Sequence, residues 1–140
     1  MPLERSAGAV VFRKEDNIYY YLLLHHQAGH WAFPKGNIEK GEKLEETVVR
    51  EIEEETGIKD IRFIEGFKET IKYFYKRDGK NIFKTVVFFL AETKTKTVKI
   101  SWEHTDFEWL NFEKALERLT FQNARNVLKK AEQFLRDHKV

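Results

Sequence analysis

Apolar and polar positions along the chain follow two different periods. Ala7 to Phe12 and Ile18 to Leu24 are runs of β-branched, aromatic and aliphatic residues on either side of the polar Arg13 to Asn17, which predicts two strands joined as a hairpin. His25 to Lys35 reads as loop. From Leu44 to Thr56 the period becomes helical, and Gly57 stands where a left-handed residue often ends a helix. Ile61 to Phe74 and Ile82 to Ala91 return to strand character, joined through Arg77-Asp78-Gly79-Lys80, a turn composition. Thr93 to Thr97 alternates lysine and threonine and reads as an exposed strand end or loop, with Phe107 to Leu110 as one more short strand. A short helix near Phe112 to Leu119 precedes an amphipathic one from Ala124, where Val127, Leu128, Ala131, Phe134 and Leu135 keep i, i+3, i+4 spacing. Strands, a central helix, more strands and a final helix predict an α/β fold with a mixed β-sheet between helices.

The central helix carries the candidate chemistry. At roughly 100° per residue with Arg50 as zero, Glu54 falls near 40°, Glu51 near 100° and Glu55 near 140°, so three carboxylates share one face. Val48, Ile52 and Thr56 fall at about 160°, 200° and 240°, with Val49 near 260°, an adjacent stripe expected to be buried. Like charges at these spacings repel by a few tenths of a kcal/mol per pair, a local cost that a cation would relieve. All-oxygen ligation suits a hard ion such as Mg²⁺ or Mn²⁺. A solvated acidic face is the plainer reading of the same residues. Gly36 and Gly41 bracket a loop before this helix that can approach a ligand closely.

Length and composition narrow the classes. A chain of 140 residues, 41% hydrophobic and 34% charged, is expected to form a single globular domain over 1–140. No apolar run nears the roughly 20 residues of a membrane span, and the opening MPLERSAGAVVF lacks a long apolar signal core, so the expected location is cytoplasmic. The absence of cysteine excludes disulfides, thiolate zinc sites and cysteine nucleophiles. Glu39 to Glu55 holds eight acids against three bases, which leaves the remainder of a chain of net charge +2 at +7. An acidic patch in a basic surround suits a metal-assisted polyphosphate, while the scattered excess does not argue for duplex nucleic acid.

The stretch GNIEKGEKLEETVVREIEEETGI resembles the Nudix hydrolase signature, with Gly36, Glu42, Arg50, Glu51, Ile52, Glu54, Glu55, Gly57 and Ile58 at its defined positions. Trp31 to Gly36, Glu65 to Lys68 and Lys84 to Val86 are further similar to blocks of the asymmetrical diadenosine tetraphosphate hydrolases in that superfamily. The resemblance implies a Nudix-type α/β/α sandwich and a Mg²⁺-dependent enzyme (Mn²⁺ as the other candidate) that hydrolyses the polyphosphate bridge of a small dinucleotide to ATP and AMP. It implies that Glu51, Glu54, Glu55 and Glu103 hold metal, with Glu51 or Glu103 as general base and Arg50 orienting the motif acids. It places His30, Lys35 and Lys84 on the phosphate chain and stacks an adenine between Tyr73 and Phe121. His25, His26, His104 and His138 are expected to be structural or exposed, and Trp102 and Trp109 to pack. A Nudix pyrophosphohydrolase acting on another nucleoside diphosphate derivative, a nucleoside triphosphate or a 5′ RNA end shares the same helix. A non-catalytic nucleotide sensor is the alternative from another class, and three intact motif acids argue against it.

Overall fold

The computed structural model describes residues 2–140. Its elements in chain order are β1 (Leu3–Glu15), β2 (Ile18–His26), β3 (Trp31–Ala32), β4 (Lys35–Asn37), α1 (Leu44–Thr56) and β5 (Arg62–Phe63). β6 (Glu69–Arg77), β7 (Lys80–Glu92), β8 (His104–Leu110), α2 (Phe112–Arg118) and α3 (Gln122–Asp137) follow. Both hairpins form where expected, and both turn by the same device. Asp16 and Asn17 have φ of 51° and 64°, and Asp78 and Gly79 have 52° and 76°. Two successive left-handed residues give a turn whose twist matches that of the flanking strands, and Asp, Asn and Gly tolerate it best.

The eight strands form one mixed sheet in the order β3-β2-β1-β7-β5, with β4 beside β1, β6 beside β7 and β8 beside β2. Along one edge β1 pairs in parallel with β7, from Leu3 facing Phe83 to Phe12 facing Glu92. Its other edge is shared: residues Ser6 to Gly8 pair with β4, and Phe12 to Glu15 pair with β2. The hand-over between β4 and β2 opens the sheet on that side, and the candidate site lies at the opening.

Side chains alternate across β1, so both faces are buried. Val10 and Phe12 join Leu119 and Leu128 beneath α2 and α3, whereas Ala7, Ala9 and Val11 meet Val48 and Ile52 of α1. Each fully buried Val, Leu, Ile or Phe side chain among them contributes about 1.5–3 kcal/mol. The result is the expected mixed sheet between helices. On the α3 side the hydroxyl of buried Tyr21 donates to Glu132, which Arg136 Nε also contacts at 2.7 Å, so the acid is satisfied where it enters the core.

Four local expectations are corrected. His25 to Lys35 is not all loop: β2 runs into it as far as His26, it contains the short strand β3, and β4 begins at its last residue, because Leu24 and Gly8 offer free sheet edges to pair with. Ile61 to Phe74 is not one strand: Gly66, at φ 97°, turns the chain between β5 and β6, and Phe67 drops into the core. Val49 is 42% exposed, since the buried arc of α1 runs from Thr47 through Glu55 to Thr56 and is rolled toward the acids. Trp109 packs and donates Nε1–H to Lys96 O, but Trp102 is 81% exposed on the turn before β8, where no layer covers it. Among the described residues no helix is long and apolar enough to cross a membrane.

Candidate active site

α1 spans Leu44 to Thr56 as its sequence period predicts, closed by Gly57 at φ 76° donating to Glu53 O at 2.8 Å. At its start the Lys43 N–H donates to Glu46 Oε1 at 2.7 Å, so the first turn is tied down by a side chain. Arg50 then fastens the preceding loop to the helix. Its Nε and Nη2 reach the two oxygens of Glu42 at 2.7 and 3.0 Å, and Nη2 also donates to Asn37 O at 3.0 Å. Its Nη1 meets Glu51 at 2.8 Å and Glu54 at 3.3 Å. One guanidinium therefore sets the spacing of the loop and of two motif acids.

The Arg50 bonds hold the Glu42 carboxyl down to about 2 from its ordinary 4.5. A depressed acid stabilises the fold above its unfolded value and loses that contribution as pH falls through its folded value. The stability difference between wild type and Glu42→Gln is therefore expected to shrink from pH 4.5 to pH 2. Denaturant titrations at several pH values check it, and a difference that stays constant across the window would detach Glu42 from the loop anchor.

The three acids descend from rim to floor. The Glu54 side chain is 59% exposed, Glu51 is mostly covered, and Glu55 is only 6% exposed. Glu55 accepts the Lys35 N–H at 3.0 Å and lies 3.6 Å from His104 Nε2. Burial, and then the charge of Glu51, pushes the Glu55 carboxyl up to about 8. Burial raises Glu51 as well, against the pull of Arg50. Gly36 makes room for this arrangement: a Cβ there would stand 2.0 Å from Glu51 Cδ.

Glu51 and Glu55 form one wall of a pocket of about 380 Å³, which Glu103 also lines from the turn before β8. The basic part of the pocket wall is Lys35 and Lys84, with His30. Burial lowers the Lys35 ammonium, and the charge of Lys84 adds to that. The Nζ of Lys84, a residue expected on the phosphate chain, pairs with Glu4 Oε1 at 3.0 Å, because the parallel register sets Glu4 beside it. A second, shallower hollow of about 640 Å³ on the outer side of α1 is lined by Glu45, Glu46, Glu53 and Glu54 with Arg50 and Val49, an acid excess that repels polyphosphate.

His26 and His104, expected to be structural or exposed, both line the pocket. The β2–β8 pairing sets them opposite one another, 5.6 Å between ring centroids, and the His26 ring stacks on His30 at 4.7 Å. Phe121 continues this column at 5.4 Å from His30 and is itself exposed. Burial, then His26, lowers His104 to about 4, so its imidazole is neutral at neutral pH. Tyr73 is half-buried on β6 as the register partner of Lys84. Its ring neighbours Tyr75 at 6.3 Å, and among the described residues it forms no ring pair with Phe121.

Among the described residues no three His, Asp or Glu side chains converge as a closed metal site, since Arg50 engages Glu51 and Glu54. The donor chemistry nonetheless fits a hard divalent cation: crowded carboxylates, two of them with proton affinities raised by burial and mutual repulsion.

The NUDIX domain family model matches residues 2–131. A bis(5′-nucleosyl)-tetraphosphatase (asymmetrical) of Mus musculus is 35% identical over 143 aligned residues, covering 94% of this chain and 95% of that protein. A protein of the same description from Caenorhabditis elegans is 31% identical, covering 94% of this chain and 96% of its own length. The crystal structure of a C. elegans Ap4A hydrolase binary complex superposes with a TM-score of 0.85 at 30% identity, covering 96% of this chain and 98% of that one. The acidic helix on a mixed sheet, the filled signature and these full-length likenesses agree: the chain belongs to the Nudix hydrolase family.

Proposed function

We propose that this protein hydrolyses the polyphosphate bridge of diadenosine tetraphosphate to ATP and AMP with Mg²⁺ as cofactor. The observation that carries the reading is that one pocket gathers an acidic wall (Glu51, Glu55, Glu103) and a basic wall (Lys35, Lys84, with His30). A bridge of consecutive phosphates needs both, cations to grip its oxygens and a charge-dense acidic side at the reacting phosphorus. The two full-length relatives carry the matching description.

Glu51, Glu54, Glu55 and Glu103 would hold the divalent cation, which supplies charge neutralisation and a more acidic water. The remaining work belongs to the chain. Lys35 and Lys84 set the phosphates across the pocket, and Arg50 keeps Glu51 and Glu54 in place. Glu55, held by the Lys35 N–H, keeps its proton up to about pH 8 in the metal-free site and would become an anionic ligand at the floor once the cation is held. The attacking water gives its proton to Glu51 or Glu103. A pH–rate profile altered in Glu103→Gln assigns the proton to Glu103, and an unaltered one assigns it to Glu51. Tyr73 and Phe121 receive an adenine.

Hydrolysis in ¹⁸O-labelled water tests the substrate, with ATP and AMP expected as the products and two ADP excluding the reading. A parallel panel of ADP-ribose, nucleoside triphosphates and triphosphorylated RNA identifies another pyrophosphate substrate if one is cut far faster. No turnover with intact nucleotide binding would make the protein a sensor. In the same assay Tyr73→Ala is expected to raise the Michaelis constant several-fold, the loss of about 1–3 kcal/mol of stacking, with a smaller change in turnover number. An unchanged Michaelis constant removes Tyr73 from the adenine site.

A further inference from the structure

Glu4 belongs to none of the motifs, yet it occupies a central place behind the basic wall. Its carboxylate accepts the Tyr75 hydroxyl at 2.8 Å, pairs with Lys84 Nζ at 3.0 Å and with Arg77 Nη1 at 3.1 Å. Exposed ion pairs contribute little, but here the Glu4 and Lys84 side chains are only 14% and 13% exposed, and two further donors fix the acid. The sheet register explains the meeting. Glu4 on β1 faces Lys84 on β7, and Lys84 in turn faces Tyr73 on β6, so the three side chains share one row on one face of the sheet.

We propose that Glu4 is the positioning residue of the phosphate grip, holding Lys84 over the pocket beside Tyr73 before any polyphosphate arrives. This rests on the reading of the pocket as a polyphosphate site. A free lysine side chain must be ordered on binding, and one already held in place spares most of that cost. Glu4 also separates charges that would otherwise repel: Lys84 and Lys35 line the same pocket, and a carboxylate behind one ammonium reduces their mutual repulsion. The cluster of Glu4, Lys84 and Arg77 keeps a net positive charge, so the grip still attracts phosphate. Tyr75 acts through Glu4 by fixing the carboxylate with its hydroxyl.

The test measures binding of sodium tripolyphosphate by calorimetry alongside kinetics on diadenosine tetraphosphate. Glu4→Gln is expected to weaken tripolyphosphate about tenfold and to raise the Michaelis constant by a similar factor, with a smaller change in turnover number. Tyr75→Phe is expected to move both by about two- to threefold in the same direction, which gives a second variant with almost no change of shape. In a Lys84→Met background Glu4→Gln should add nothing, because the residue it positions is gone. Equal losses in both backgrounds mean a general structural role and overturn the inference. So does unchanged binding, and so does tighter binding, which would make Glu4 a mask over Lys84. If the wild type binds tripolyphosphate through the Glu4–Lys84 pair but leaves the dinucleotide intact, the substrate assignment falls and the positioning role stands.

Discussion

Glu54→Gln is expected to lower the turnover number on diadenosine tetraphosphate at least about a hundredfold, some 2.7 kcal/mol of transition-state stabilisation, with the melting temperature unmoved. Glu54 can be removed cleanly because it stands on the rim of α1 and, among the described residues, its carboxylate bonds only to Arg50, which keeps its shorter bonds to Glu42 and Glu51. Glu55→Gln should lose as much activity by a different route. The amide oxygen can still accept the Lys35 N–H, but the amide has no proton that a bound cation could displace, so the floor can no longer become an anionic ligand. Its fold should also survive, since Glu55 is a costly charge in that position and not a source of stability. The measurement is turnover against Mg²⁺ concentration for both variants, with circular dichroism to show the fold. Near-normal rates with a normal metal requirement would remove both residues from the site.

Gly36→Ala should cost about ten- to a hundredfold in turnover number with a shift of only a few degrees in melting temperature. Gly36 does not have a positive φ, so alanine meets no backbone strain. The obstacle is the carboxylate of Glu51, whose Cδ and two oxygens would lie 2.0, 2.2 and 2.3 Å from the new Cβ. Those atoms end a flexible side chain, so the chain survives by moving Glu51 off its bond to Arg50 and out of the acidic wall. Gly8→Ala provides the contrast. Its Cβ would meet Pro34 O at 2.4 Å and Lys35 Cβ at 2.6 Å, and backbone cannot swing aside, so stability should fall there first. A Gly36→Ala protein with full activity would show that Glu51 need not stand where it does.

Local features were legible in the sequence. The helix bounds, the Asp16-Asn17 and Asp78-Gly79 turns and the set of motif acids each depend on residues a few positions apart, where period and turn chemistry act directly. How α1 rolls about its axis was not legible, because it is decided by the small Ala7 and Ala9 beneath the helix; Glu55 is drawn inward and Val49 left outside. Glu4 and His26 carried no local signal either, since Glu4 comes behind Lys84, and His26 beside His104, only through pairing with a distant strand. His104 sits next to Glu103 and could have been suspected on that ground. Trp102 was assigned to packing from residue type, and the turn that exposes it is specified by backbone bonds such as Gln27 N to Glu103 O at 3.1 Å.

The parallel pairing of β1 with β7 joins each residue from Leu3 to Phe12 to one 80 positions further on. During synthesis the acidic helix, complete with its signature, leaves the ribosome long before its basic counterpart on β7 exists. A fragment ending after α1 would carry every motif acid without Lys84, and its first strand would lack the partner that covers one whole edge. Closure of this long-range pair is thus the step at which a string of carboxylates becomes a catalyst, and truncations that spare the motif but stop short of Glu92 should yield neither a folded sheet nor activity.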